Sequence, residues 1–255
     1  MTIRLDRALV ERGLARSRGQ AQELIRAGRV TLDGRTALKA SDPVGEDALV
    51  EARTDPYVSR GAHKLAGALD DLGLVVRGRA LDAGSSTGGF TQVLLERGVE
   101  QVYAVDVGTE QLAESLRADP RVDVQEQTSA RDLTPDNLGG KPVDLVVADL
   151  SFISLTKFVE TFAEVTAEDG TWLLMVKPQF EVGRAALGAG GVVRDPALHR
   201  QAVDDVVAAA AELGWHVQAV VASRLPGPAG NQEFFVHLSR TPCAVPATPW
   251  SSSLN

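Results

Sequence analysis

The chain has 255 residues, of which 44% are hydrophobic and 24% are charged, so it can bury a large core. This composition excludes disordered and collagen-like proteins. No apolar run approaches the roughly 18 residues of a membrane span, and the first residues lack the apolar region of a signal peptide. We therefore expect a soluble, cytoplasmic protein. Its one cysteine, Cys243, predicts neither a disulfide nor a metal site.

The charge is unevenly distributed along the chain, whose net charge is −8. Residues 1–39 contain nine Lys and Arg against four Asp and Glu, a net charge of +5, which leaves −13 for the rest. A basic segment joined to an acidic globular part is typical of a nucleic-acid-binding module, although solvated helix faces give the same pattern. Only five of the 26 basic residues are lysines, so a lysine within a motif is informative.

The basic segment predicts two short helices followed by a hairpin. Leucines at helical spacing from Leu5 predict a first helix that ends at Gly13. Ser17 and Gln20 form a capping box for a second helix, which ends at Gly28. The alternating run RVTLDGRTAL then turns at its Asp-Gly pair, a strong hairpin signal.

Several arginines of this segment could face a phosphate backbone. The run SRGQAQELIRAGRVTLDG resembles the S-four-like RNA-binding domain, also called the αL motif, over roughly 45 residues. The resemblance implies docking on structured RNA. We predict an RNA-binding domain over residues 1–52 and a linker over residues 53–58. The candidate RNA-binding residues are Arg4, Arg16, Arg18, Arg26 and Arg29.

The rest of the chain alternates apolar strands with amphipathic helices. After a helix that ends at Gly73 come the strands ALDAG, QVYAVDV, VDVQEQ, VDLVVADL and TWLLMVK. Helices are predicted over 87–97, near 110–117, near 156–166 and over 197–213. The final strands HVQAVVAS and EFFVHLS have no helix between them, which predicts an antiparallel edge. The pattern predicts an α/β fold with a seven-stranded, mainly parallel, Rossmann-like sheet, the architecture of class I methyltransferases, over residues 59–240. Residues 241–255 are predicted to be a disordered tail.

A glycine-rich motif, DAGSSTGGF, follows the first strand of this domain and opens a helix. Such glycines let the backbone approach a ligand at the helix N-terminus. A dinucleotide fingerprint would need glycine where Ser86 stands. A hydrolase elbow G-x-S-x-G is matched by Gly84, Ser86 and Gly88, in the right strand-turn-helix context.

The hydrolase reading also requires a late histidine, and three are candidates: His199, His216 and His237. His216 and His237 lie within predicted strands, and His199 lies on a helix after a glycine-rich loop. None has the expected place after a terminal strand. This interpretation is therefore the weaker one.

S-adenosylmethionine is the ligand that this part of the sequence favours. It requires an acidic residue at the end of the second strand, where one carboxylate can accept hydrogen bonds from two ribose hydroxyls. Asp106 meets that requirement. The candidate cofactor-binding residues are Gly84, Ser85, Ser86, Thr87, Gly88, Gly89, Phe90, Asp106, Val107 and Asp149.

Two further strand ends carry candidate catalytic residues. Asp149 ends the fourth strand and Lys177 ends the fifth, and the carboxyl ends of parallel strands meet at one edge of the sheet. A lysine at the end of so apolar a strand is costly unless it is paired or near the surface. We therefore expect both side chains on the same rim as Gly84 and Asp106.

Family resemblance adds two residues that spacing alone could not place. Lys64, Asp149, Lys177 and Glu233 are similar in order to the K-D-K-E tetrad of FtsJ-like ribose 2′-O-methyltransferases. The runs SRGAHKL, LDAGSSTGGFT, VVADLSFISL, VKPQFEVG, GGVVRDP and LPGPAGNQEFF resemble the TlyA family, ribosomal RNA methyltransferases often named haemolysins. This resemblance spans about residues 4–238.

The resemblance implies S-adenosylmethionine-dependent methylation of a ribose 2′-hydroxyl in ribosomal RNA, with cytidine as the target and without a metal. Lys177 would act as the base or as the cation that stabilises the developing alkoxide, with Asp149 and Glu233 orienting the lysines. Whether Asp132 or a backbone amide reads the adenine stays open. A membrane-active haemolysin and a non-catalytic RNA-binding factor remain as alternatives.

Overall fold

The chain forms two compact units that divide after Pro56. The computed structural model describes residues 2–15, 17–53, 55–183 and 186–242. Of the predicted tail, residues 243–255 lie outside the described residues, as does Cys243.

The first unit packs two helices against short antiparallel strands. Its elements are β1 Ile3–Arg4, α1 Leu5–Glu11, α2 Arg18–Arg26, β2 Val30–Leu32, β3 Arg35–Thr36, β4 Pro43–Val44 and β5 Val50–Ala52. The N–H of Gln20 donates to the Ser17 Oγ at 3.3 Å, which confirms the predicted start of α2. Asp33 and Gly34 both have positive φ and join β2 to β3, as the hairpin signal predicts.

The second unit is an α/β domain. Its helices are α3 Arg60–Leu72, α4 Gly89–Glu96, α5 Glu114–Arg117, α6 Val159–Val165, α7 Pro178–Glu181 and α8 Pro196–Ala211. Short 3-10 turns lie at Pro135–Leu138, Leu155–Lys157 and Ala189–Gly191. Its strands are β6 Arg79–Ala83, β7 Gln101–Val105, β8 Val122–Gln125, β9 Val143–Ala148, β10 Thr166–Val176, β11 His216–Ala222 and β12 Phe234–Ser239.

These strands form one seven-stranded sheet in the order β11-β12-β10-β9-β6-β7-β8. The pairs from β10 to β8 are parallel, and β12 runs antiparallel to both of its neighbours. This arrangement confirms the predicted fold class and the antiparallel pairing of the last two strands. The strand order reverses beside β6, so a crevice opens at the carboxyl ends of β6 and β9.

Both faces of the sheet are buried, which explains the continuous apolar runs of its strands. On β9, Leu145 and Val147 belong to the core that packs under α3 and α4. Val146 and Ala148 belong to the core on the opposite face, which α6 and α8 cover. Both faces of β9 are thus fixed by packing, and so is the direction in which its last residues point.

Several element boundaries differ from the predicted ones. Helix α4 begins at Gly89 rather than at residue 87, because Gly88 has a φ of +92°, outside the helical region. The helix predicted near 156–166 is divided into a 3-10 turn and α6. Glu233 lies immediately before β12 instead of opening it. The helix predicted near 110–117 is only the four residues of α5.

Candidate functional site

The glycine-rich loop between β6 and α4 has two glycines, Gly84 and Gly88, at positions where a residue with a side chain would not fit. Gly84 has a φ of +86°, and a Cβ there would lie 2.8 Å from the carbonyl oxygen of Asp149. A Cβ on Gly88 would lie 2.3 Å from a methyl carbon of Leu116. Ser86 also has positive φ, at +47°. The glycines therefore serve close backbone packing and leave the loop's amides near the crevice.

Asp106 is held against this loop by hydrogen bonds to backbone amides. Its Oδ2 accepts the N–H of Ser86 at 2.9 Å, and its Oδ1 accepts the N–H of Gly108 at 2.7 Å. The neighbouring Val107 is exposed. The acid at the end of the second parallel strand thus lies directly beside the glycine loop, where the sequence pattern placed it.

Glu126, which sequence reasoning missed, fixes the segment that follows Asp106. Its carboxylate accepts the backbone N–H groups of Glu110 and Gln111 at 2.8 and 3.0 Å and an N–H of Arg117 at 2.7 Å. These bonds lower the pKa of Glu126, with the Glu110 amide as the largest cause. Glu110 has a φ of +53°, outside the helical region, so α5 begins only at Glu114. The sequence feature that could have indicated this role is the position of Glu126, an acidic residue directly after β8.

The four tetrad residues form two short ion pairs. Lys64 Nζ lies 2.5 Å from Glu233 Oε2, and both side chains are buried. Lys177 Nζ lies 2.5 Å from Asp149 Oδ1 and donates to the Ser151 Oγ at 2.8 Å. Each lysine therefore has its own carboxylate, which offsets the cost of placing it in a cleft.

Both ion pairs and most of the glycine loop line one cavity of about 370 Å³. Of the candidate cofactor-binding residues, Gly88, Asp106 and Val107 do not line it, although Asp106 bonds to Ser86 at its edge. Asp132 does not line it either. The lining residues are Ser59, Arg60, Gly61, Lys64, Gly84, Ser85, Ser86, Thr87, Gly89, Phe90, Asp149, Ser151, Lys177, Pro228 and Glu233.

A buried carboxyl group lies directly before the glycine loop. Asp82 is fully buried on β6, and its Oδ2 accepts the Thr91 hydroxyl at 2.6 Å. Within the described chain its Oδ1 has no hydrogen-bond partner. Burial raises the pKa of Asp82 to about 7, the Thr91 bond opposes that rise, and the nearby charge of Asp149 adds to it.

The geometry does not support a hydrolase triad. The Ser86 hydroxyl bonds to Gln111 at 3.1 Å. His199 bonds to the backbone of Val193, and His237 bonds to Thr171 on β10. No histidine of the described ranges lines the cavity. The Ser86 hydroxyl thus bonds to Gln111 next to the glycine loop and has no histidine partner of the kind a catalytic triad requires.

Phe152, also missed from the sequence, is an exposed aromatic residue that contacts Phe180, the ring nearest to Lys177. Its side chain is 91% exposed and its φ is +67°, a conformation that is strained for phenylalanine. The Phe180 ring lies 5.1 Å from the Phe152 ring and 5.9 Å from Lys177 Nζ. Composition and periodicity offered no signal, because an apolar residue after a buried strand is expected to be core.

In the first unit, two of the candidate RNA-binding arginines share one buried acid. Asp6 is fully buried, and both Arg4 and Arg18 donate to its carboxylate at 3.1 Å while remaining about half exposed. Gln22 donates to it at 3.0 Å. These bonds, above all that of Arg4, hold the pKa of Asp6 well below its usual range.

The other candidate RNA-binding arginines are placed differently. Arg29 lies 3.7 Å from Asp55, and Arg26 is exposed at the end of α2. Arg16 lies outside the described residues.

Within the described ranges, no helix is long and apolar enough to cross a membrane. The same ranges contain no cluster of three or more His, Cys, Asp or Glu side chains suited to a metal ion.

Comparison with protein families gives two matches. Residues 57–240 match the model of the FtsJ-like methyltransferase, and residues 3–50 match that of the S4 domain.

Similar proteins cover nearly the whole chain. The 16S/23S rRNA (cytidine-2′-O)-methyltransferase TlyA of Mycobacterium tuberculosis is 54% identical over 92% of this chain and 89% of its own length. Hemolysin A of Brachyspira hyodysenteriae is 34% identical over 92% of this chain and 99% of its own. A solved structure from Streptococcus thermophilus, described as a hemolysin, superposes with a TM-score of 0.75 at 35% identity, covering 97% and 93% of the two chains.

Proposed function

Because the chain belongs to the TlyA family of FtsJ-like methyltransferases, we propose that it methylates ribosomal RNA at a ribose 2′-hydroxyl, with cytidine as the target nucleoside and S-adenosylmethionine as the methyl donor. The observation that carries the proposal is the convergence of two lysine–carboxylate pairs with the glycine loop on one cavity. A ribosomal RNA substrate implies a cytoplasmic protein.

The glycine loop and Asp106 fit the cofactor. Gly84 and Gly88 let the loop pack closely against the Asp149 carbonyl and Leu116, and the backbone amides at the start of α4 suit a carboxylate. Each oxygen of Asp106 accepts one backbone amide and keeps a lone pair for a ribose hydroxyl. Residues 84–90 would hold the amino-acid part and Asp106 the ribose. Bound there, S-adenosylmethionine supplies an electrophilic methyl group on a sulfonium.

Lys177 is the residue that acts on the substrate hydroxyl. The 2′-oxygen must lose its proton as it attacks, so a negative charge develops on it. Lys177 Nζ either accepts that proton in its neutral amine form or, as an ammonium, stabilises the developing charge while the proton passes to water. Asp149 and Ser151 fix the position of the Nζ on two sides, which leaves its remaining direction for the substrate. Lys64, aligned by Glu233, adds a second positive charge to the same cavity.

The remaining features supply RNA recognition. Phe152 presents an exposed ring on which a base can stack beside Lys177. The first unit carries a net charge of +5 in residues 1–39 and the half-exposed pair Arg4 and Arg18. These groups would bind phosphates in a sequence-independent, salt-sensitive way.

The test separates chemistry from binding. Lys177→Ala should lower methyl transfer to undermodified ribosomal subunits by at least about 100-fold, while cofactor affinity measured by calorimetry changes only a few-fold. Lys157→Ala is the matched control, because Lys157 is exposed and does not line the cavity. Mass-spectrometric mapping of the RNA identifies the modified nucleotide.

Two results would refute the proposal. Near-normal turnover of Lys177→Ala would remove its role at the hydroxyl. If the wild-type protein binds ribosomal RNA but transfers no methyl group, the chain is a non-catalytic RNA-binding factor instead.

A further inference from the structure

Arg60 is a charged residue of the cavity that the proposed chemistry does not use. It is the first residue of α3, its side chain is exposed, and it lines the same cavity as both lysines. Its hydrogen bond goes to the backbone carbonyl of Pro226 at 3.2 Å, a neutral partner. Among the described residues, no carboxylate lies within ion-pair distance of its guanidinium.

The charged side chains that line the cavity have a net charge of +1. The pair of Lys64 with Glu233 is neutral, as is the pair of Lys177 with Asp149. Arg60 therefore adds one uncompensated positive charge to the lining of the cavity. A guanidinium without a carboxylate partner favours an oxyanion, which its planar set of donors can bind through two parallel bonds.

The chemistry of the substrate brings such an oxyanion to this place. In RNA the 2′-hydroxyl and the 3′-phosphodiester are attached to neighbouring carbons of the ribose. When the hydroxyl reaches Lys177, the 3′-phosphate must lie near the wall of a cavity of only about 370 Å³. Resting on the function proposed above, we infer that Arg60 binds the phosphate on the 3′ side of the target ribose.

The cofactor carboxylate is the other oxyanion that could reach Arg60. The backbone amides of the glycine loop already suit that carboxylate, and Arg60 belongs to α3 rather than to this loop. A phosphate contact predicts an effect on RNA binding alone, whereas a carboxylate contact predicts an effect on cofactor binding. The two sources are therefore separable by measurement.

The experiment compares Arg60→Ala and Arg60→Lys in the full chain, with undermodified ribosomal subunits as the substrate. Arg60→Ala should raise the KM for subunits by about ten-fold or more, as expected for a lost hydrogen bond to a charged group. The slope of log affinity against log salt should fall by about one unit. Arg60→Lys should restore the slope and only part of the affinity, because it keeps the charge and loses the planar fork.

The control is Arg77→Ala, which removes the same charge from an exposed arginine before β6, at the end of that strand away from the cavity. An unchanged KM and salt slope in Arg60→Ala overturn the inference, provided that the wild-type protein methylates the subunits. A ten-fold loss of S-adenosylmethionine affinity also overturns it and assigns Arg60 to the cofactor. If the wild-type protein transfers no methyl group, the proposed function fails instead.

Discussion

Replacing Asp82 with asparagine should remove a pH dependence from the stability of the second unit, here called the catalytic unit. Asp82 is fully buried, one of its carboxylate oxygens accepts the Thr91 hydroxyl, and the other has no partner among the described residues. Burial raises its pKa from 3.8 to about 7. The asparagine side chain has the same shape and does not titrate, so it isolates the contribution of this one group.

The direction and size of this pH dependence follow from the difference between the Asp82 pKa values in the folded and unfolded states. Because the pKa is higher in the folded state, that state retains the proton over a pH range in which the unfolded chain has lost it. The stability contributed by Asp82 is therefore lost as pH rises from about 4 to about 7. Each unit well inside that range is worth about 1.4 kcal/mol and the last unit before pH 7 somewhat less, so the loss between pH 5 and pH 7 is about 2 kcal/mol. Asp82→Asn should gain that amount relative to the wild type over the same interval.

Urea unfolding at pH 5, 6, 7 and 8 measures the difference, with tryptophan fluorescence as the signal. Trp172 and Trp215 are both fully buried and stack at 3.8 Å between centroids in the catalytic unit, so they report its unfolding. Asp204→Asn, at an exposed position on α8, is the control and should show no pH-dependent difference. If Asp82→Asn differs from the wild type by the same amount at pH 5 and pH 8, the proton is not held by Asp82 and the reasoning is wrong.

Three further predictions concern the ion pairs, the cofactor segment and the exposed ring. Lys64→Met should destabilise the protein by about 3–5 kcal/mol because it leaves Glu233 buried and unpaired, and adding Glu233→Leu should restore most stability in urea unfolding without restoring activity. Glu126→Gln should weaken S-adenosylmethionine binding by about ten-fold in calorimetry and leave kcat at saturating cofactor near normal. The glutamine amide nitrogen cannot accept one of the two backbone N–H groups that the carboxylate oxygens accept, and unchanged affinity would contradict the inference that Glu126 positions the segment after Asp106. Phe152→Ala should leave Tm unchanged and raise the KM for ribosomal subunits about ten-fold, as expected for a lost stacking contact, and an unchanged KM would exclude that contact.

The sequence predicted those site residues whose position follows from strand topology. Asp149 and Lys177 each end an apolar strand, and the ends of parallel strands share one edge. Lys64 and Glu233 could not be placed in this way. Their contact joins residues 169 positions apart, on a helix and a loop whose approach depends on the packing of the whole unit. Only the family resemblance indicated that they belong to the site.

Tertiary contacts explain the features that the sequence did not predict. Periodicity near 110–117 indicated a longer helix, but Glu110 has a φ of +53° in a segment that the distant Glu126 carboxylate holds, and α5 is reduced to one turn. Phe152 is an apolar residue after a buried strand, a position that predicts core packing. It instead has a positive φ and is exposed, with its ring against Phe180. Propensity describes neighbours in sequence, whereas both features depend on residues distant in the chain.

The acid shared by Arg4 and Arg18 would lower the entropic cost of the RNA contacts proposed for these two arginines. A free arginine side chain carries about 2 kcal/mol of rotamer entropy, which a phosphate contact must overcome when it immobilises the chain. Asp6 has already restricted both guanidiniums, since it is fully buried and each donates to it while half exposed. Part of the ordering cost is therefore met during folding, and one carboxylate beneath two guanidiniums still leaves a net positive charge at the surface. Arginines arranged in this way would act as a rigid docking element, whose affinity depends less on temperature-sensitive side-chain ordering than that of freely moving arginines.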